Sequence, residues 1–157
     1  MIKELRKHLN LGRGGERGQA LVETALTLPV LLLLLVGAAE LARVAYASIE
    51  VSNAARAAAQ YGAMNGGGFK DATGMLAAAN NDAANLTPAV TLNPAPSYAC
   101  VCSDGSASTC NSGDCATSKM IITLTVNTQQ TFTSIFRLPG LPITYTLHGT
   151  AVQKVLQ

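Results

Sequence analysis

Hydrophobic and polar positions along this chain change period twice. Between Glu23 and Glu40 lie 16 residues without a charge, rich in leucine. As a helix they rise roughly 24 Å, a little short of a ~30 Å hydrocarbon core. Leu21 and Val22 before them, and Leu41, Val44 and Ala45 after, lengthen the span. From Glu40 to Met64 the pattern turns amphipathic. Leu41, Val44, Ala45, Ser48, Val51, Ala55 and Ala58 fall on one face at i, i+3, i+4 spacing. The two stretches predict one helix over 19–64, ended by Asn65-Gly66-Gly67-Gly68. Pro29 lies inside it and predicts a kink. Glu40 and Arg43 are spaced to pair on its surface.

Beyond the glycines, 69–85 reads as an alanine-rich second helix weakened at Asn80-Asn81-Asp82. A short edge strand is expected at 87–91, demoted by Pro88, before Pro94 and Pro96 open a loop. Two segments then alternate with period two. Met120, Ile122, Leu124 and Val126 oppose Ile121, Thr123, Thr125 and Asn127. Leu141, Ile143, Tyr145 and Leu147 oppose Thr144, Thr146, His148 and Thr150. These read as half-buried strands joined by a turn at 137–140, with 132–136 extending or bulging the first. The expected fold class is α+β, a long N-terminal helix with a small antiparallel sheet laid on its second half.

Charge sharpens the picture. Residues 1–18 hold Lys3, Arg6, Lys7, Arg13 and Arg17 against Glu4 and Glu16, a net of +3, while 19–157 nets −1. A basic head before an apolar run places that head in the cytoplasm and exports the part of the chain beyond the run. Overall net charge is +2 with 13% charged residues, which excludes a strongly basic nucleic-acid binder. Three readings fit the run itself: a cleaved signal peptide ending in Gly37-Ala38-Ala39, a plain anchor, or a prepilin-type start retained after cleavage in front of it.

The junction reads Arg17-Gly18-Gln19-Ala20-Leu21-Val22-Glu23. A prepilin peptidase needs a small residue before the scissile bond, and Gly18 is one. Cleavage leaves Gln19 with a free ammonium in an apolar setting, where an acid such as Glu23 can neutralise it. Taken alone, Glu23 also suits the first turn of a helix through the helix dipole.

Glu16 to Leu26, with Leu28-Pro29 and the leucine run, resembles the start of TadE-like proteins, the pseudopilins or minor pilins of the tight-adherence pilus system. The resemblance returns in Asn53-Ala54-Ala55-Arg56 and Gln60-Tyr61-Gly62-Ala63. Thr24 departs from the tyrosine usual after the acid in the small major pilins, which favours a pseudopilin. The resemblance implies cleavage between Gly18 and Gln19 and pairing of Glu23 with the new N-terminus. It also implies an inner-membrane protein with other pilins, a prepilin peptidase and the pilus assembly platform as partners, active in assembly, adhesion and biofilm growth. The corresponding division is a leader at 1–18, the helix at 19–64 and an exported head at 65–157. The alternative is an adhesin or binding domain behind an ordinary signal peptide or anchor.

The head contains Cys100, Cys102, Cys110 and Cys115 in what reads as a cysteine-rich loop at 97–118. An exported location predicts disulfides. Bonding Cys100 to Cys102 is sterically poor, so two pairings stay open: 100–110 with 102–115, or 100–115 with 102–110. The spacing is poor for zinc and no histidine is near; Asp104 and Asp114 do not fit a calcium loop. No catalytic constellation, cofactor motif or metal set is present: His8 sits in the leader and His148 on an outward strand position.

Overall fold

A computed structural model describes residues 15–64, 67–111, 113–137, 140 and 142–156. Helix α1 spans Gly15–Met64, a 3-10 turn spans Gly68–Lys70, and helix α2 spans Ala72–Asp82. Strands β1 (Thr91–Leu92), β2 (Ser97–Cys102), β3 (Met120–Thr133) and β4 (Thr144–Leu156) come next. By internal contacts the chain separates into a unit up to Leu41 and a head of Ala42–Gln157.

Within the first unit α1 runs through Pro29 without ending. Thr24 Oγ1 donates to the Ala20 carbonyl (2.9 Å) and Thr27 Oγ1 to that of Glu23 (3.0 Å). These threonines satisfy themselves on their own helix, so their hydroxyls do not break it in an apolar setting. The large apolar side chains here face outward: Leu21 is 72% exposed and Leu35 67%.

The head is built around β3. Among the described residues the other strands all pair with it, each antiparallel: β1 and β2 along one edge, β4 along the other. The even positions of β3, Met120 through Phe132, are buried and the odd ones are not. α1 covers this face with Ala47, Val51, Ala54, Ala55, Ala58 and Ala59, all nearly inaccessible. Small side chains let the helix and sheet backbones approach. At the crossing, buried Thr128 donates from Oγ1 to the Val51 carbonyl at 2.8 Å. Gly149 of β4 lies beside it, where a Cβ would stand 2.5 Å from the Val51 oxygen.

Several expectations shift. Leu41 and Ala45 are exposed rather than part of the packed face. The buried stripe starts at Ala47 because Leu41 belongs with the outward-facing apolar run. α2 begins at Ala72 and not at 69, because Asp71 caps it: its Oδ1 accepts from the Gly74 N–H at 2.9 Å. Phe69 instead fills the core from the 3-10 turn, edge-on to Tyr98 with ring centroids 4.9 Å apart. The strand expected at 87–91 reduces to Thr91–Leu92. The loop expected from Pro94 onward is interrupted by β2, so Cys100 and Cys102 sit on a strand, with Cys100 opposite Ile122 and Cys102 opposite Met120. β3 continues to Thr133 without a bulge against β4, and β4 runs on to Leu156. Residues 65 and 66, and 138 and 139, of the expected turns, and Leu141 of the second expected strand, lie outside the described residues, as does His8.

Candidate functional site: the N-terminal helix and the stapled head

Gly18, Gln19 and Glu23 all lie on α1 and are exposed. A Cβ on Gly18 would meet nothing within 4 Å. Glycine inside a helix is ~1 kcal/mol worse than alanine. The fold of this chain therefore supplies no packing reason for Gly18. Glu23 comes four residues after Gln19, which places the two side chains on one face about a turn apart. Among the described residues nothing pairs with the Glu23 carboxylate.

Behind these residues α1 is long and apolar enough to cross a membrane, and the best window of it is wholly unburied within the chain. Leu26, Val30, Leu31, Leu32, Leu33 and Leu34 are each more than half exposed. So large an outward apolar surface needs lipid or other helices as its surroundings.

The four cysteines form two disulfides, Cys100–Cys110 and Cys102–Cys115. This selects one of the two pairings that the sequence left open. Between them the loop is held by carboxylates. Asp114 Oδ2 accepts from the hydroxyls of Thr109 (2.7 Å) and Ser108 (3.1 Å) and from the Thr109 backbone N–H. Those bonds, led by the Thr109 hydroxyl, hold the Asp114 carboxyl below its usual range. Asp104 is lowered likewise, first by the Ser106 hydroxyl and then by the Ser106 N–H. Both acids are thus used in shaping turns. Among the described residues no group of three or more His, Cys, Asp or Glu side chains is placed to hold a metal ion.

Gly18, Gln19 and Glu23 belong to the first unit and the disulfides to the head. Sequence reasoning missed Thr128 and Gly149 at the helix–sheet crossing. The available signal was parity, since Thr128 continues the even-numbered face of β3.

Residues 18–60 match the family model of TadE-like proteins. Over this stretch the chain is similar to TadE-like proteins. The match begins at Gly18 and ends four residues short of the end of α1, so the TadE-like part is the helix itself. TadE-like proteins are pilus components of the tight-adherence system, a structural family rather than a family of enzymes. The head beyond Gln60 lies outside the match. No curated protein and no solved structure matches the chain.

Proposed function

We propose that this protein is a pseudopilin, or minor pilin, of a tight-adherence pilus. In this reading a prepilin peptidase cuts between Gly18 and Gln19. The apolar half of α1 then stays in the inner membrane or packs among helices of other pilins. Glu23 neutralises the new ammonium of Gln19, on its own or a neighbouring subunit. The disulfide-bonded head is exported and makes the contacts used in pilus assembly, adhesion and biofilm growth. The single observation that supports the reading most is Gly18: a helical glycine with no packing role, at the first residue of the TadE-like match.

A second reading has one observation in its favour. The compact head begins at Ala42, so a signal-peptidase cut near Ala39 would release it whole, as a secreted adhesin or binding domain. Mass spectrometry of the mature N-terminus from native membranes separates the two. A start at Gln19 with the leucine run retained supports the pseudopilin; a start near Glu40 refutes it. Gly18→Val should block processing, because its branched side chain crowds the scissile bond.

A further inference from the structure

β4 is the outer strand of the sheet on the side away from β1 and β2, and among the described residues no strand lies beyond it. Its ladder fixes which backbone groups are left over. The Ser134 N–H donates to the Ile143 carbonyl at 2.8 Å, so the pair next to Thr133 and Thr144 is a bonded one. Bonded and non-bonded pairs alternate along an antiparallel ladder. The odd residues of β4 therefore bond to β3, and the even ones, Thr150 and Val152 among them, turn their N–H and C=O groups to the open edge. β3 shows the matching phase on its opposite side, where the Asn93 N–H donates to the Asn127 carbonyl at 3.2 Å. Proteins ordinarily block such an edge with a proline, a bulge or several charges. β4 instead pairs with β3 residue for residue from Thr144 to Leu156. It contains no proline, and Lys154 is its one residue among Lys, Arg, Asp and Glu.

Beside this edge runs a groove of about 350 Å³, lined by Arg56, Ala59 and Gln60 of α1 and by residues 150–153 of β4. All of them belong to the head. Arg56 and Gln60 are exposed and stand one helical turn apart. Among the described residues no hydrogen bond or ion pair engages the Arg56 guanidinium, and no acid lines the groove. Free backbone donors and acceptors on one wall fit an extended chain, and an unpaired guanidinium on the other fits a carboxylate. We propose that the groove takes an extended, acidic segment of another protein as an added strand. Its backbone pairs with Thr150 and Val152, and an Asp or Glu on its helix-facing side reaches Arg56. The β4 of a second copy fits less well. Pairing 150–153 with itself runs about a two-fold axis normal to the sheet, which sets both α1 helices on one face and draws the two Arg56 side chains together. Nor does β4 carry an acid to meet them. The inference concerns the head alone, so it stands or falls apart from the reading of the leader and the apolar run.

The test uses the full chain in detergent and a labelled peptide that alternates valine and threonine around one central glutamate, read by fluorescence anisotropy. A twin peptide carries glutamine in place of the glutamate. The glutamate peptide should bind roughly fivefold more tightly, as one favourable charge pair at an exposed site allows. Arg56→Gln should remove that difference and Arg56→Lys should keep most of it. Val152→Pro deletes an edge-facing N–H without touching the ladder to β3, so it should abolish binding of both peptides. Far-UV circular dichroism and the oxidised state of the cysteines check that each variant is folded. If Val152→Pro is not, N-methylation of the glutamate peptide at every second residue takes its place: one phase should abolish binding and the other spare it. Equal affinity for the two peptides, a glutamate preference that survives in folded Arg56→Gln, or equal tolerance of the two methylation phases overturns the proposal. So does a failure of both peptides to bind at millimolar concentration. Self-association of the chain that Val152→Pro abolishes, with neither peptide bound, overturns it in favour of a second copy. None of these outcomes bears on where the leader is cut.

Discussion

Gly149→Ala tests the helix–sheet crossing directly. The new Cβ would lie 2.5 Å from the Val51 carbonyl oxygen, 2.6 Å from Thr128 Oγ1 and 2.9 Å from Ser52 Cα. Two of these three are backbone atoms of α1, which cannot rotate away as a side-chain tip can. Optimal non-bonded separations are about 3.5–4.0 Å, so helix and strand must part by roughly 1 Å. Overpacking of this kind costs ~1–3 kcal/mol. Displacing Thr128 also weakens its bond to Val51, worth about 0.5–1.5 kcal/mol. Against these stands a gain of about 0.4–1 kcal/mol from the stiffer unfolded chain, since Gly149 does not occupy the left-handed region. Sterics prevail, leaving a net loss near ~2–3 kcal/mol. For a head the size of Ala42–Gln157 that lowers Tm by roughly 10 °C. Calorimetry of the full chain in detergent measures it, with Gly67→Ala as the control, because a Cβ on Gly67 meets nothing within 4 Å. A shift below about 2 °C, or one equal to the control, would show that the crossing is not tightly packed.

Replacing Cys102 and Cys115 together by alanine should cost ~3 kcal/mol, as expected for a loop of this length; thermal melts with and without reductant check it, and an unchanged midpoint would contradict a constraining role. Acid should weaken the head. Asp71 is held low first by the Gly74 N–H and then by the Tyr61 hydroxyl, and Asp104 and Asp114 are lowered too. A depressed carboxyl stabilises the fold above its unfolded pKa and loses that contribution as pH falls through the folded one. Tm should therefore be level from neutral pH to about 5 and drop below about 4, with a shallower drop in Asp114→Asn. Glu23→Ala should leave leader removal intact and reduce piliation, scored by shearing and immunoblot; normal piliation would remove the pairing role.

Regular alternation made much of the head readable in advance. Met120, Ile122, Leu124 and Val126 announced β3 and its buried face because each residue carries the signal in its own side chain. The strand did not look longer because its inward face then turns polar at Thr128 and Gln130, whose burial depends on α1 and on the 85–88 segment. β2 was hidden by its cysteines and flanking prolines, although Tyr98, Cys100 and Cys102 do share a parity. Cysteine pairing depends on the register of β2 on β3, a relation between distant segments that spacing does not encode. Gly18 and Glu23 were legible for the opposite reason: their signal is local and owes nothing to the fold. A groove lined by Arg43, Asn85 and Gln130 draws on three separate segments, and no single stretch of sequence contains it.

If the head is exported as proposed, the dependence of the described strands on β3 sets an order of events. On that reading the chain would emerge from its N-terminal side, so all four cysteines, ending at Cys115, would reach an oxidising compartment before β3 begins at Met120. At that moment β2 would have no template, because β3, the strand it pairs with among the described residues, has not yet arrived. Thiols that oxidise early do so without the register that distinguishes 100–110 with 102–115 from its rival. Native pairing is then a matter of timing: either oxidation waits for β3, or a disulfide isomerase corrects it afterwards. A head with a single organising strand near its C-terminal side thus ties its yield to how fast translocation finishes relative to how fast thiols are oxidised.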